Sequence, residues 1–155
     1  MRWRSAIRLE PGAPDHVLPL AGRLRAIDRI ECAAMGLTGA EALARGLATG
    51  AQTWTALVGG QPQAMFGVVV ECAATGAAVP WFLGSDEVAA HGAALVRHGP
   101  AIVRAMHRHG RTLRNYVSAE NTRAIRLLTR WGFAVLPDQI PVRGVPFRLF
   151  IRETK

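Results

Sequence analysis

Residues 121–133, which read NTRAIRLLTRWGF, combine a helix with its exit into a strand. Four apolar side chains recur there at i, i+3, i+4 and i+7, the spacing of one helical face: Ala124, Leu127, Leu128 and Trp131. The next residue is a glycine, which readily takes the left-handed conformation that ends a helix. The segment therefore predicts a helix from Glu120 to Trp131 that packs on a sheet, ends at Gly132 and returns to the sheet at Phe133.

Strand patterns occupy the chain on both sides of this helix. Stretches rich in apolar, β-branched and aromatic residues are found at 6–10, 53–58, 62–70, 78–84, 112–118, 133–136 and 145–153. The second and third form a hairpin around Gly59-Gly60, and Gly67 indicates a bulge or a close backbone approach. A long helical pattern covers about 86–109, with an interruption expected at Gly99-Pro100.

Three helices are predicted ahead of the hairpin: 15–25 capped by Asp15, 25–36 ending at Gly36, and a third from Thr38 to about Leu47. The second would bury the face that carries Ile27, Ile30, Ala33 and Ala34. The third opens with a capping box of Thr38 and Glu41. This order predicts one three-layer α/β (α+β) domain over 1–155, with a mixed, mostly antiparallel sheet of about six to seven strands and helices on both faces.

The quoted segment resembles the GNAT superfamily of N-acetyltransferases. In that family an Asn at a helix start, then Ala, Leu, a basic residue and Gly-Phe, form a recurrent signature. The matching residues here are Asn121, Ala124, Leu127, Arg130, Gly132 and Phe133. The order of elements over roughly 50–153 is similar as well, so the resemblance implies a GNAT-like fold.

Several stretches are also similar to a narrower group, the GNAT-like internal virion proteins of tailed bacteriophages. They are the early helix with Asp28 and Glu31, WTALVGGQPQAMFGV, PWFLGSDE and LRNYVSAENTRAIRLL. This resemblance covers most of the chain and implies a role in virion assembly.

The GNAT resemblance implies a place for acetyl-CoA between the strands at 79–83 and 112–117. Phe82, Leu83, Gly84, Asn121 and Arg126 are the residues expected to bind it, and Trp81 beside Pro80 is a candidate to line the same cleft. The family holds the pyrophosphate on backbone N–H groups of an Arg/Gln-x-x-Gly-x-Gly/Ala loop.

That phosphate loop departs from the family pattern. Residues 83–87 read LGSDE, so Asp86 and Glu87 bring negative charge to the place of two phosphates. The missing pattern predicts that acetyl-CoA binding is weakened or lost.

Candidates for proton transfer are few. A general base must take a proton from an attacking amine, and Glu71 at the end of the second hairpin strand is the first candidate, with Glu31 as the alternative. Many family members carry a Tyr directly after the signature Leu, where it can protonate the leaving thiolate. Leu128 holds that position here, which leaves Tyr116, the one tyrosine, as the candidate acid.

The positive charge is concentrated in the last part of the chain. Residues 1–90 hold seven Arg and eight acids, a net −1, whereas 91–155 hold eleven Arg, one Lys and three acids, a net +9. Six arginines on two predicted helices would form a basic C-terminal surface: Arg97, Arg104, Arg108, Arg123, Arg126 and Arg130. Such a surface suits acidic faces of other virion or assembly proteins, coenzyme phosphates, or non-specific contact with nucleic acid.

Other classes of site and location have little support in the sequence. Cys32 and Cys72 lack the spacing of a zinc site or a disulfide scaffold, and the histidines lack a carboxylate partner, so no metal is expected. No apolar run could span a bilayer, and the N-terminus lacks the apolar region of a signal peptide. A cytoplasmic location, in a host cell or in a phage particle, is therefore expected. The oligomeric state stays open.

Two hypotheses of function follow. In the first, the chain is a phage-type GNAT-like virion or assembly component whose acetyltransferase site has degenerated. In the second, it is an active acetyl-CoA-dependent N-acetyltransferase that acts on a small-molecule or protein amine.

Overall fold

A seven-stranded mixed sheet runs through the protein, whose computed structural model describes residues 7–154. Its strands are β1 (Ile7–Pro11), β2 (Gln52–Val58), β3 (Gln61–Cys72), β4 (Ala77–Gly84), β5 (Thr112–Ser118), β6 (Ala134–Val142) and β7 (Val145–Glu153). Their order across the sheet is β1-β2-β3-β4-β5-β7-β6. Neighbours pair antiparallel except β4 and β5, which are parallel. The predicted fold class is confirmed.

Helices cover both faces of this sheet. They are α1 (Val17–Ala21), α2 (Ala26–Ala34), α3 (Gly39–Thr49), α4 (Asp86–Ala89), α5 (Gly92–His107) and α6 (Thr122–Arg130), with a short 3-10 turn at Pro14–His16. One apolar cluster joins α1, α2 and α3 to Met65 and Leu83 on one face of the sheet. The other joins α5 and α6 to Phe66, Leu113 and Phe150 on the opposite face. Phe82 and Leu83 are adjacent in β4 and point to opposite faces, so they pack in different clusters.

Several local predictions are confirmed by hydrogen bonds, backbone angles or close backbone packing. Thr38 and Glu41 form the capping box, with the Glu41 N–H donating to Thr38 Oγ1 at 3.1 Å and the Thr38 N–H donating to Glu41 Oε1 at 3.3 Å. Gly59 and Gly60 turn the hairpin with φ of 58° and 80°. Gly67 lies where a Cβ would come within 2.5 Å of the Gln52 carbonyl oxygen, so its role is the close backbone approach.

Two helix predictions are wrong in their limits. The helix expected over 15–25 is only the 3-10 turn and α1, and Asp15 lies inside the turn rather than capping a helix. The interruption expected at Gly99-Pro100 is absent, because α5 runs through both residues and the break falls between α4 and α5. Gly99 keeps the helix close to α6, since a Cβ there would collide with the Trp131 ring.

The buried face of α2 agrees with the prediction only in part. Ala34 is buried as predicted, but Ile30 is 47% exposed, while Asp28 is only 1% exposed and Cys32 is buried. An apolar period assigns faces correctly only where apolar packing decides which side is covered. Hydrogen bonds from backbone groups of β4 and β5 to carboxylates of α2 decide it here.

Some expectations fall partly on residues 1–6, which lie outside the described residues: the start of the first strand at 6 and the absence of a signal peptide. Within residues 7–154, no helix combines the length and apolarity needed to cross a membrane.

Candidate active site

The parallel strands β4 and β5 separate after a short paired stretch. The Thr112 N–H donates to the Gly76 carbonyl at 3.0 Å, and the ladder continues only through Ala77–Thr112 and Ala78–Leu113. In this register the next hydrogen bond would run from the N–H of residue 80 on β4 to a carbonyl group of β5. That residue is Pro80, which has no N–H to donate. The strand separation therefore begins at a proline.

A side-chain amide replaces the lost bonds at this point. Asn115 Nδ2 donates to the Pro80 carbonyl at 2.8 Å, and Asn115 Oδ1 accepts from the Tyr116 N–H at 2.8 Å. The amide group thus stands between two backbone groups that would otherwise bond directly. Beyond it the strands are no longer paired with each other, and the alternation of β4 turns the N–H and C=O of Phe82 toward the gap.

We expect Asn115→Ala to lower the free energy of unfolding by about 1–3 kcal/mol, because it leaves the Pro80 carbonyl and the Tyr116 N–H without partners. Urea denaturation measures the loss. Asn115→Asp is the matched control, since it keeps the acceptor for Tyr116 but places an oxygen against the Pro80 carbonyl. Wild-type stability in both variants would contradict a bridging role.

Two carboxylates of α2 hold the separated strand ends. Asp28 Oδ2 accepts from the Gly84 N–H at 2.9 Å, at the end of β4. Glu31 Oε1 accepts from the Ser118 N–H at 3.1 Å, at the end of β5, and from Asn121 Nδ2 at 2.9 Å. Because the two acids lie three residues apart, they share one face of α2. This helix therefore lies across the open end of the gap.

Each carboxylate has a distinct electrostatic setting. Asp28 forms an ion pair with Arg25, whose Nη2 lies 2.7 Å from Oδ1, yet burial raises the pKa of Asp28 more than Arg25 lowers it. Burial likewise raises the pKa of Glu31, against the hydrogen bonds from Asn121 and Ser118. Glu31 Oε2 makes no hydrogen bond with any residue of 7–154. Glu31 is thus a carboxylate with a raised pKa and one uncommitted oxygen.

A cavity of about 950 Å³ passes through the gap between the strands. On one face of the sheet it is bounded by α2, α3 and Trp81, and on the other by α5, α6 and Phe82. Its lining is mostly apolar, and the charged residues that 7–154 contribute to it are five arginines and one acid: Arg25, Glu31, Arg45, Arg123, Arg126 and Arg130. Such a cavity is large enough for a small-molecule ligand.

The structure brings most of the sequence-predicted site residues together. Phe82, Leu83, Tyr116, Asn121 and Arg126 all line the cavity. Trp81 does so as well, as its place beside Pro80 suggested.

Two other candidates lie elsewhere. Gly84 contributes its N–H to Asp28 and is not part of the cavity wall. Glu71 is half exposed beside Arg114, with Oε2 3.7 Å from the guanidinium Nε, and does not line the cavity either. Of the two carboxylates proposed as base, only Glu31 lines the cavity.

Asn121 has two tasks at the start of α6. Its Oδ1 accepts from the Ala124 N–H at 3.3 Å and so caps the helix, while its Nδ2 holds Glu31. The signature asparagine thus links the helix predicted from sequence to the carboxylate that lines the cavity.

The six helix arginines do not act as one group. Arg123, Arg126 and Arg130 of α6 line the cavity, whereas Arg97, Arg104 and Arg108 do not. None of the six has a carboxylate partner within residues 7–154. The α6 arginines are therefore free to pair with an anion at the cavity mouth.

Thiol and metal chemistry have little support in this region. Burial raises the pKa of Cys32, which also lines the cavity, to about 11, so its thiol stays protonated at neutral pH. Across residues 7–154, no group of three His, Cys, Asp or Glu side chains could hold a metal ion.

The sequence offered signals for the residues that the predictions missed. Pro80 inside a strand marks a place where pairing to a neighbour must fail. Arg25 and Asp28 precede Glu31, the alternative base, at three-residue spacing, which places all three along one side of a helix. Nothing local distinguishes Asn115 from a surface residue, since its partners are backbone groups of two strands.

Comparisons with solved structures identify the fold. A protein provisionally named a phosphinothricin N-acetyltransferase superposes with a TM-score of 0.69 at 15% identity, covering 96% of this chain and 99% of that one. The aminoglycoside acetyltransferase AAC(6')-Ib, in complex with ribostamycin and coenzyme A, gives 0.67 at 15% identity over 96% and 93%. An acetyltransferase of the GNAT family from Streptococcus pneumoniae gives 0.66 at 14% identity over 96% and 99%. The chain therefore has the fold of GNAT acetyltransferases.

Comparisons of sequence are negative. No protein-family model matches the chain, and no curated protein matches it.

Proposed function

We propose that this chain is an acetyl-CoA-dependent N-acetyltransferase. The observation that carries the proposal is the cavity through the gap between β4 and β5, with Glu31 as the one carboxylate that the described part of the chain places in its wall. The GNAT fold of the chain supports the same conclusion, because solved neighbours with this fold were captured with coenzyme A or acetyl-CoA.

The residues around the cavity fit the parts of such a coenzyme unequally. The apolar gap and the free N–H and C=O of Phe82 suit a pantetheine arm, which carries amides on a flexible chain. Arg123, Arg126 and Arg130 suit its phosphates. The loop after β4 does not, because Asp28 already accepts the Gly84 N–H and the Ser85 N–H donates to the Gln63 carbonyl. We therefore assign the phosphates to α6 rather than to this loop.

The protein side of the reaction rests on Glu31. When bound, acetyl-CoA supplies an activated acyl group as a thioester. Glu31 Oε2 accepts the proton of the attacking amine, and the raised pKa of this carboxyl brings its basicity closer to neutral pH. Asn121 and the Ser118 N–H fix the other oxygen, Oε1, and so orient the carboxylate. Tyr116, at the cavity wall, is the candidate donor of a proton to the sulfur.

Coenzyme binding is the direct test. At a free acetyl-CoA concentration of a hundred times Kd, the protein should gain about 2.7 kcal/mol of stability. Calorimetric titration and thermal unfolding measure the Kd and the shift. Arg126→Glu should weaken binding by at least about tenfold, since it places a negative charge beside phosphates. Arg104→Glu is the matched control, because Arg104 is exposed on α5 and lies outside the cavity wall. No shift at millimolar coenzyme would overturn the proposal.

A second candidate function is the phage-type assembly role without transferase activity. The observation that favours it is the negative charge at the end of β4, which comes from Asp86 and Glu87 after the strand and from Asp28 on α2. The comparisons provide no link to phage virion proteins. Mass spectrometry of purified particles and precursor shells tests this role, and absence from both would count against it.

A further inference from the structure

The two sides of the cavity differ in charge and in polarity. Three of its five arginines belong to α6, on the face of the sheet proposed for the coenzyme phosphates. The other face is bounded by apolar residues of α2, α3, β4 and the segment between α2 and α3, which we call the acceptor side: Cys32, Met35, Leu37, Ala42, Gly46 and Trp81. Glu31, the proposed base, belongs to α2 on this same side. An amine that loses its proton to Glu31 must therefore approach against an apolar wall.

Trp81 is a fixed apolar part of this wall. Gly46 holds the ring in place, because a Cβ at that position would come within 2.5 Å of Trp81 Cζ2. The indole Nε1 is buried and has no hydrogen-bond partner within residues 7–154. Trp81 therefore offers the cavity its apolar ring rather than its N–H.

Charge at the mouth of the acceptor side restricts the amine further. Arg45 is exposed on α3, lines the cavity and has no carboxylate partner among the described residues. Arg25 also lines the cavity, and its charge is matched by Asp28. With one carboxylate in the wall, a polycationic amine would place its additional charges against arginine.

We propose that the acceptor is a primary amine on an apolar body that carries no further positive charge. This inference rests on the proposed function. The transfer forms the N–C bond of an amide and breaks the C–S bond of the thioester. The neutral amine gives one proton to Glu31, and the sulfur leaves as the thiol after taking up a proton.

Two amines test this assignment. Phenethylamine has one amine on an apolar ring, whereas spermidine is polycationic. We expect kcat/KM for phenethylamine to exceed that for spermidine by at least about tenfold. In calorimetric titrations, which need no turnover, phenethylamine should also bind at least about tenfold more tightly than spermidine.

A charge reversal at the surface tests the same assignment without touching the packed ring. Arg45→Glu should raise kcat/KM for spermidine by at least about fivefold, whereas Arg104→Glu should leave it unchanged. Preference for spermidine in the wild type, by kcat/KM or by binding, would overturn the acceptor assignment alone. Failure of acetyl-CoA to bind would overturn the proposed function and this inference together.

Discussion

Replacing Glu31 by Gln should reduce kcat for acetyl transfer by about 10²- to 10⁴-fold, the contribution expected of a positioned general base. The substitution is nearly isosteric. The amide oxygen of Gln can still accept from the Ser118 N–H and from Asn121 Nδ2, which hold Glu31 Oε1 in the wild type. We therefore expect the fold to persist and acetyl-CoA affinity to stay within about twofold of the wild type. Steady-state kinetics and calorimetric titration measure the two quantities separately.

The pH dependence gives a second readout of the same residue. Because burial raises the pKa of Glu31, the fraction of ionised base in the free enzyme should increase as pH rises through that raised value. The activity kcat/KM of the wild type should accordingly rise with pH over the same range and then level off. Glu31→Gln should lose this rising limb. A limb that survives the substitution would assign the titration to another group.

Glu71→Gln provides the matched comparison between the two candidate bases. Glu71 is half exposed beside Arg114 and does not line the cavity, so its replacement should leave kcat near the wild-type value. Loss of activity in Glu71→Gln, with Glu31→Gln active, would return the role of base to Glu71.

Local signals explain why so much of the fold was predictable. The capping box of Thr38 and Glu41, the Gly59-Gly60 hairpin and the apolar face of α6 each depend on residues close together in sequence. Capping, turn geometry and periodicity act over one to two helical turns, and their physics does not change with distant packing. Of these elements, α6 also locates part of the cavity, because Asn121 at its start and Leu127 on its apolar face line the cavity.

The parts that sequence could not predict depend on partners distant in the chain. The face of α2 was assigned from Ile27 and Ile30, yet the helix buries Asp28, which is 1% exposed. A buried carboxylate requires compensation, and Asp28 receives it from the Gly84 N–H, 56 residues away. Glu31 is held by Asn121, 90 residues away. The sequence does not show where β4 and β5 separate. The apolar residues of α2 are therefore the best guide to its buried face, and Glu71 is the first candidate for the general base.

Replacing Asp28 by Ala should lower the free energy of unfolding by about 3–5 kcal/mol, the range for removing one partner of a buried ion pair. Arg25, with a side chain 12% exposed, would lose the carboxylate 2.7 Å away, and the Gly84 N–H would lose its acceptor. The double replacement Arg25→Met with Asp28→Leu should recover most of the loss, because it removes both charges. Urea denaturation of the single and double variants measures the coupling. Additive losses would contradict a buried pair.

The pH dependence of stability should report the same carboxylate. Burial raises the pKa of Asp28 above its ordinary value of 3.8, so the folded protein binds this proton more tightly than the unfolded chain does. The corresponding stability is fully present below 3.8 and is lost as pH rises through the raised pKa. Asp28→Asn keeps an acceptor for the Gly84 N–H but cannot ionise, so it should flatten the loss of stability that the wild type shows as pH rises above 3.8.

The same variant tests whether the negative charge of Asp28 repels an anion bound at the end of β4. Asp28→Asn removes one negative charge beside Gly84 while retaining the bond to its N–H. If coenzyme phosphates approach this strand end, the Kd for acetyl-CoA should fall by about fivefold, as expected when a repelling charge is removed near a bound anion. If the phosphates lie only on the α6 arginines, the Kd should not change while Arg126→Glu still weakens binding. Calorimetric titration of the two variants in parallel decides where the negative charge of the coenzyme is held.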